Sequence, residues 1–142
     1  IKLSKDLPNV YYRGIYAHED SARVFENIDV LVIPSLWYDF PLVIYESFAT
    51  KTPVIATALG GMAEAVKHNV TGLLFGRGDA GDLANQMYRM IEEPRLLEEM
   101  QAHIPPVQTI QEEVDHLDAL YRELTGLTTV DEKHHKHHME EV

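Results

Sequence analysis

Three observations predict an α/β fold with a parallel sheet. Asp29-Val30-Leu31-Val32-Ile33-Pro34-Ser35 and Pro53-Val54-Ile55-Ala56-Thr57 are unbroken apolar runs bounded by turn residues, the pattern of strands covered on both faces. A third run, Thr71-Gly72-Leu73-Leu74-Phe75-Gly76, is flanked by glycines. Helical stretches alternate with these runs and then close the chain, and that order makes parallel pairing through crossovers the expected topology.

Each element has a local reason. Ile1 to Pro8 is polar and ends in the turn signal Leu-Pro-Asn. Val10-Tyr11-Tyr12-Arg13-Gly14 reads as a short strand rich in β-formers. His18-Glu19-Asp20-Ser21 supplies capping side chains, and Ala22, Val24, Phe25 and Ile28 follow as a short helix. Pro41 stands where a helix begins, its missing N–H being one the first turn leaves unpaired anyway, so Leu42 to Thr50 is expected to be helical. Leu59-Gly60-Gly61 is a turn before a short helix from Met62 to His68. Asp79 to Glu93 carries Leu83, Met87, Met90 and Ile91 on one helical face, with Asp79 as N-cap. Pro94 opens another helix that reaches His103, and Pro105-Pro106 interrupts the chain. Thr109 to Leu124 places Ile110, Val114, Leu117, Tyr121 and Leu124 at helical spacing, with Gly126 as the stop. Residues 1–126 read as one domain and 127–142 as a flexible His-rich tail.

The 142 residues amount to one ordinary domain, long enough to bury roughly 70% of the surface its unfolded chain exposes. Cysteine is absent, which excludes disulfides, iron–sulfur clusters and thiol catalysis. Twelve Lys and Arg stand against 23 Asp and Glu, a formal net charge of −11, which disfavours nucleic acid as a partner. The acid is concentrated from Asn85 onward, so an anionic ligand is expected to sit on the earlier part. No apolar run has the length of a membrane span, and the N-terminus lacks a basic-then-apolar export signal. A cytoplasmic location is the expectation, with membrane association left to a longer parent.

Ligands of open parallel sheets bind beyond the carboxyl ends of the strands. Ser35-Leu36-Trp37-Tyr38-Asp39-Phe40-Pro41 lies there and holds the only Trp of the chain. The N–H groups of Leu42 and Val43, at the positive end of a helix starting at Pro41, suit a phosphate. Trp37 and Phe40 could equally serve only to pack the loop, and the residues alone leave both readings open. Glu46 is the single acid in an otherwise apolar helix. Its carboxylate either accepts from two hydroxyls at once, as a ribose diol offers, or lies on a solvated outer stripe. Gly60-Gly61 allows a close backbone approach to a ligand or merely makes a turn. The tract Lys133-His134-His135-Lys136-His137-His138 reads as a flexible end that takes nickel or zinc adventitiously. No nucleophilic triad stands out, and His18, His68, His103 and His116 carry no assigned role.

Taken in order, Asp29 to Ser35, Trp37 to Ala49, Thr52 to Thr57, Gly60-Gly61-Met62-Ala63-Glu64 and Thr71 to Phe75 resemble the C-terminal half of retaining glycosyltransferases of the glycosyl transferases group 1 family. Five ordered blocks with the right gaps make this a specific likeness, which runs from about Asn9 to Leu124. The resemblance implies a partial, Rossmann-like donor-binding domain of the two-domain GT-B fold, and a nucleotide-diphosphate sugar as substrate. No metal or other cofactor is expected. It assigns the donor ribose to Glu46 and the diphosphate and sugar to Pro41, Leu42 and Val43, with Gly60 and Gly61 lining the site. The family places a second Glu eight residues before the first, where this chain has Tyr38; the nearest acid, Asp39, is the candidate beside the transferred sugar. The family also has an upstream acceptor-binding domain, two further strands and a basic Arg/Lys pair for the phosphates, none of which matches here. An N-terminal truncation is therefore expected, with the acceptor domain or a partner chain completing the fold and no sugar transfer by this chain alone. The strand at Val10 would then be unpaired or would move inward to pair with the Val30 strand.

Two other readings compete. One is a non-catalytic binding or assembly module whose exposed sheet edge recruits another chain, as a homo-oligomer for instance; the stripe on the last helix points the same way. The other is a sugar-nucleotide epimerase fragment, which the spacing of Glu46 and Gly60-Gly61 disfavours.

Overall fold

Val54–Thr57 (β2) is buried along its whole length, and the fold is built around it. In the computed structural model, which describes residues 7–38 and 40–126, β2 pairs in parallel with Leu31–Ile33 (β1) on one side and Gly72–Phe75 (β3) on the other. Leu31 lies opposite Val54, and Val54 lies opposite Gly72. Successive side chains of a strand point to opposite faces, so β2 feeds two cores. Val54 and Ala56 pack with Ile44, Phe48, Met62, Val66 and Ile104. Ile55 packs with Leu73, Phe75, Met90 and Met100. Helices Val43–Ala49 (α2) and Gly60–Ala65 (α3) thus cover one face, and Ala80–Glu92 (α4) and Pro94–His103 (α5) the other. Gly72 is required by the sheet itself, because a Cβ there would meet the Val54 carbonyl oxygen at 2.0 Å.

One expectation about strands changes. The segment Val10–Gly14 forms no strand; among the described residues its one backbone hydrogen bond runs from the Val10 N–H to the Leu7 carbonyl, and Tyr11 and Tyr12 are exposed. Side chains that favour β structure do not hold a strand without a partner ladder, and the Val30 segment pairs only with β2 among the described residues. β1 is half-buried: Leu31 and Ile33 pack against one core and Val30 and Val32 against the other, but among the described residues it has one neighbouring strand where β2 has two.

Helix ends follow local chemistry. A 3-10 turn at His18–Asp20 leads into Ser21–Phe25 (α1). The Asp79 side chain accepts from the Asp82 N–H at 2.9 Å and opens α4. Met90 of the predicted α4 face is buried, while Met87 and Ile91 remain exposed. Helix α3 begins at Gly60, two residues before the predicted start, and ends at Ala65 instead of His68. The Lys67 N–H is drawn off the helix by the Thr71 hydroxyl at 3.0 Å. At the far end of α2, the buried Ser47 hydroxyl donates to the Thr52 carbonyl, and Lys51 takes a positive φ of 59°.

The chain divides into two compact units on either side of the Val107–Gln108 link. The second unit holds Ile110–Thr125 (α6), opened by a capping box between Thr109 and Glu112 and closed by Gly126 in the left-handed conformation. No residue of α6 is buried, and the stripe from Ile110 to Leu124 is exposed. The His-rich tail expected from residue 127 lies outside the described residues. No described helix is long and apolar enough to cross a membrane.

Candidate functional site

Three loops leave the carboxyl ends of the strands: the segment after β1 that leads into α2, the Ala58-Leu59 turn after β2, and the Gly76–Asp79 turn after β3. They meet. Tyr38 and Phe40 of the first loop lie against Gly60 and Gly61, where added Cβ atoms would come within 2.9 Å of Tyr38 Cδ2 and 2.0 Å of Phe40 Cδ2. Gly78 of the third lies near Leu36 of the first, at 3.9 Å from a Cβ position to Cδ2.

The first loop ends in Pro41, and Leu42 is the N-cap of α2. The Leu42 carbonyl accepts from Tyr45 and Glu46, and the Pro41 carbonyl accepts from Ile44. The N–H groups of Leu42 and Val43 make no hydrogen bond to a described residue. They carry the partial positive charge of a helix start, as expected from the proline.

Glu46 lies one turn further on α2. Its side chain is 31% exposed, and His18 Nδ1 stands 3.7 Å from its Oε1. The carboxylate therefore borders the surface without being fully solvated. Ile44, Ser47 and Phe48 beside it are buried, which orients Glu46 outward from the core.

The aromatic residues divide. Phe40 stacks on Tyr45, with ring centroids 5.7 Å apart and planes at 30°, so it does pack the loop. Trp37 is 78% exposed and does not. What lies against Gly60 and Gly61 is the chain's own Tyr38 and Phe40. Asp39 lies outside the described residues.

Sequence reasoning gave no role to His18, and no local pattern marks it, since only the tertiary fold carries it to Glu46. It also passed over the Gly76–Asp79 turn. There the Asp79 N–H returns to the Gly76 carbonyl, Gly78 has a φ of 72°, and the Asp82 carboxylate accepts from the Gly76 N–H at 2.8 Å. The Gln86 amide, and then this N–H, hold the Asp82 carboxyl below its ordinary value. Arg77 at the tip of this turn is the one Lys or Arg in the three loops.

Three parallel strands flanked by helices, with three loops meeting beyond their carboxyl ends, define an α/β protein of the Rossmann-like class. Known structures of that class superpose on it. Sucrose-phosphate synthase of Thermosynechococcus elongatus matches with a TM-score of 0.70 and 32% identity, over 84% of this chain and 31% of that one. Anabaena HepE, solved in complex with UDP, matches with a TM-score of 0.60 and 25% identity, over 74% of this chain and 29% of that one. The chain belongs to the family Glycosyl transferases group 1, which residues 1–93 match. A relative, the D-inositol 3-phosphate glycosyltransferase of Thermobifida fusca, is 42% identical over 97 residues, 66% of this chain and 22% of that protein. The chain thus spans about a fifth of that relative's length. Its membership of a transferase family counts against the epimerase reading.

Proposed function

We propose that the chain is the donor-binding part of a retaining glycosyltransferase, with a nucleotide-diphosphate sugar as substrate. The observation that carries this reading is the pairing of Glu46 with the N–H groups of Leu42 and Val43, which bond to no described residue, one helical turn apart at the carboxyl end of the sheet. The Glu46 carboxylate accepts from the ribose hydroxyls. The two N–H groups, with Pro41 holding the turn, face the diphosphate. Gly60 and Gly61 bring α3 up to the same loop, and Asp39 is the acid assigned to the transferred sugar. In the parent reaction the bond from the anomeric carbon to phosphate breaks, a bond to the acceptor oxygen forms on the same face, and the nucleoside diphosphate leaves while the acceptor hydroxyl proton passes to it or to water. The HepE complex with UDP supports the ligand class.

The chain alone binds donor without transferring sugar. Arg77 is the single Lys or Arg of the three loops, set against the charges of a diphosphate, and the acceptor side of the reaction has no candidate among the described residues. Release of free sugar or a glycoside by the purified chain would refute this.

Calorimetric titration with UDP, GDP and ADP tests the donor reading. Millimolar or tighter binding of one nucleotide, lost in Glu46→Ala, is the expected result. A folded chain that binds none of the three overturns it.

The assembly-module reading keeps one specific support. An apolar groove of about 400 Å³ lies beside β1, lined by residues such as Val30, Val32, Met87 and Ile91. A stable dimer in light scattering, with no nucleotide affinity, would favour that reading.

A further inference from the structure

Phe40 joins the turn after β2 to the helix that bears Glu46. One side of its ring lies against Gly61, where a Cβ would meet Cδ2 at 2.0 Å and Cγ at 2.8 Å. Its ring also stacks on Tyr45, the residue before Glu46. Tyr38 lies against Gly60 in the same way, at 2.9 Å from a Cβ position. Gly60 has a φ of 52°, so any side chain there is also strained; Gly61 carries no such strain, and the three atoms nearest to a Cβ there all belong to the Phe40 side chain.

We propose that Gly60 and Gly61 are positioning residues, a side-chain-free seat for Tyr38 and Phe40 that sets the first turn of α2, and with it Glu46, against the carboxyl end of β2. The proposal rests on the donor reading of Glu46. Burial does not account for the contacts, because Tyr38 is 78% exposed and Phe40 47% exposed. Rings this wet add little to a core, yet two consecutive glycines are needed to admit them. What the seat does fix is the path of the loop between β1 and α2, and a carboxylate that must meet two hydroxyls tolerates little displacement.

Trp37 in the same loop is the only Trp of the chain and serves as its reporter. Labelled with 5-fluorotryptophan, the chain gives one 19F resonance, read without any ligand. Gly61→Ala is expected to shift or broaden it, and Gly61→Ala/Phe40→Ala to restore the line of Phe40→Ala. In titrations with UDP, GDP and ADP, Phe40→Ala and Gly61→Ala should each weaken the nucleotide that binds by about tenfold. The double variant should also lose about tenfold, not the product of the two, because both changes break one contact. If Gly61→Ala does not fold, Phe40→Ala and the double variant carry the test.

An unmoved line in Gly61→Ala overturns the seat. Moved lines with unchanged affinity overturn the positioning role, as does a multiplicative loss in the double variant. A wild-type chain that binds none of the three nucleotides overturns the donor reading and the positioning role together, while the fluorine line still reports on the seat.

Discussion

His18 Nδ1 and Glu46 Oε1 stand 3.7 Å apart, bringing the segment before α1 to the middle of α2. The His18 side chain is 89% exposed, so water screens the pair and little free energy is tied up in it. His18→Ala should leave stability within about 0.5 kcal/mol of the wild type in urea melts. A loss several times larger would mean that the pair anchors the N-terminal segment.

Lys51 makes a longer-range tie. Its ammonium donates to the carbonyl of Ile104 at 2.6 Å, from a backbone φ of 59°. Ile104 is 2% exposed, so water does not readily replace the lost donor. Lys51→Ala should cost about 1–2 kcal/mol. Lys51→Gly loses the same bond but relaxes the left-handed backbone, and should be about 1 kcal/mol more stable than the alanine variant. Denaturant midpoints in the opposite order would overturn this account.

Gly72 should tolerate nothing larger. Its Cβ position lies 2.0 Å from the Val54 carbonyl oxygen and 2.9 Å from Val66 Cγ1, so one methyl group pushes β3 off β2. Gly72→Ala is expected to cost about 3 kcal/mol or more, measured by thermal melting. A near-native melting temperature would show that the two strands can part without loss.

Asp82 gives acid stability a definite sign. The Gln86 amide, and then the Gly76 N–H, favour its charged form and hold its carboxyl below the ordinary value. A carboxyl lowered on folding stabilises the native state fully above the ordinary aspartate range, near pH 4, and loses that contribution as pH falls through the lowered value. Asp82→Asn should therefore be less stable than the wild type at neutral pH, with the gap closing in acid. A gap that stays constant down to about pH 2 would contradict the assignment.

How much of this was legible in the sequence depended on the range of the forces involved. The strand at Val54–Thr57 was plain because burial on both faces demands an unbroken apolar run. Asp79 and Gly126 were plain because caps act within a few residues. Val10–Gly14 misled because strand formation needs a partner, which local composition does not reveal. In the site, Glu46 stood out as an acid among apolar residues, and Pro41 announced the helix start. The packing of Phe40 on Gly61 and the approach of His18 to Glu46 depend on tertiary contacts, so no spacing rule finds them.

The consecutive strand order β1-β2-β3 has a kinetic consequence. Among the described residues every strand closes on its immediate successor, so no pairing there waits for a distant segment, and the entropy lost at each closure is modest. Growth can start at the β2–β3 ladder, which aligns four residue pairs against the three of β1–β2. The amide protons of β2 should be the last to exchange with deuterium, and those of β1 should open first by fraying.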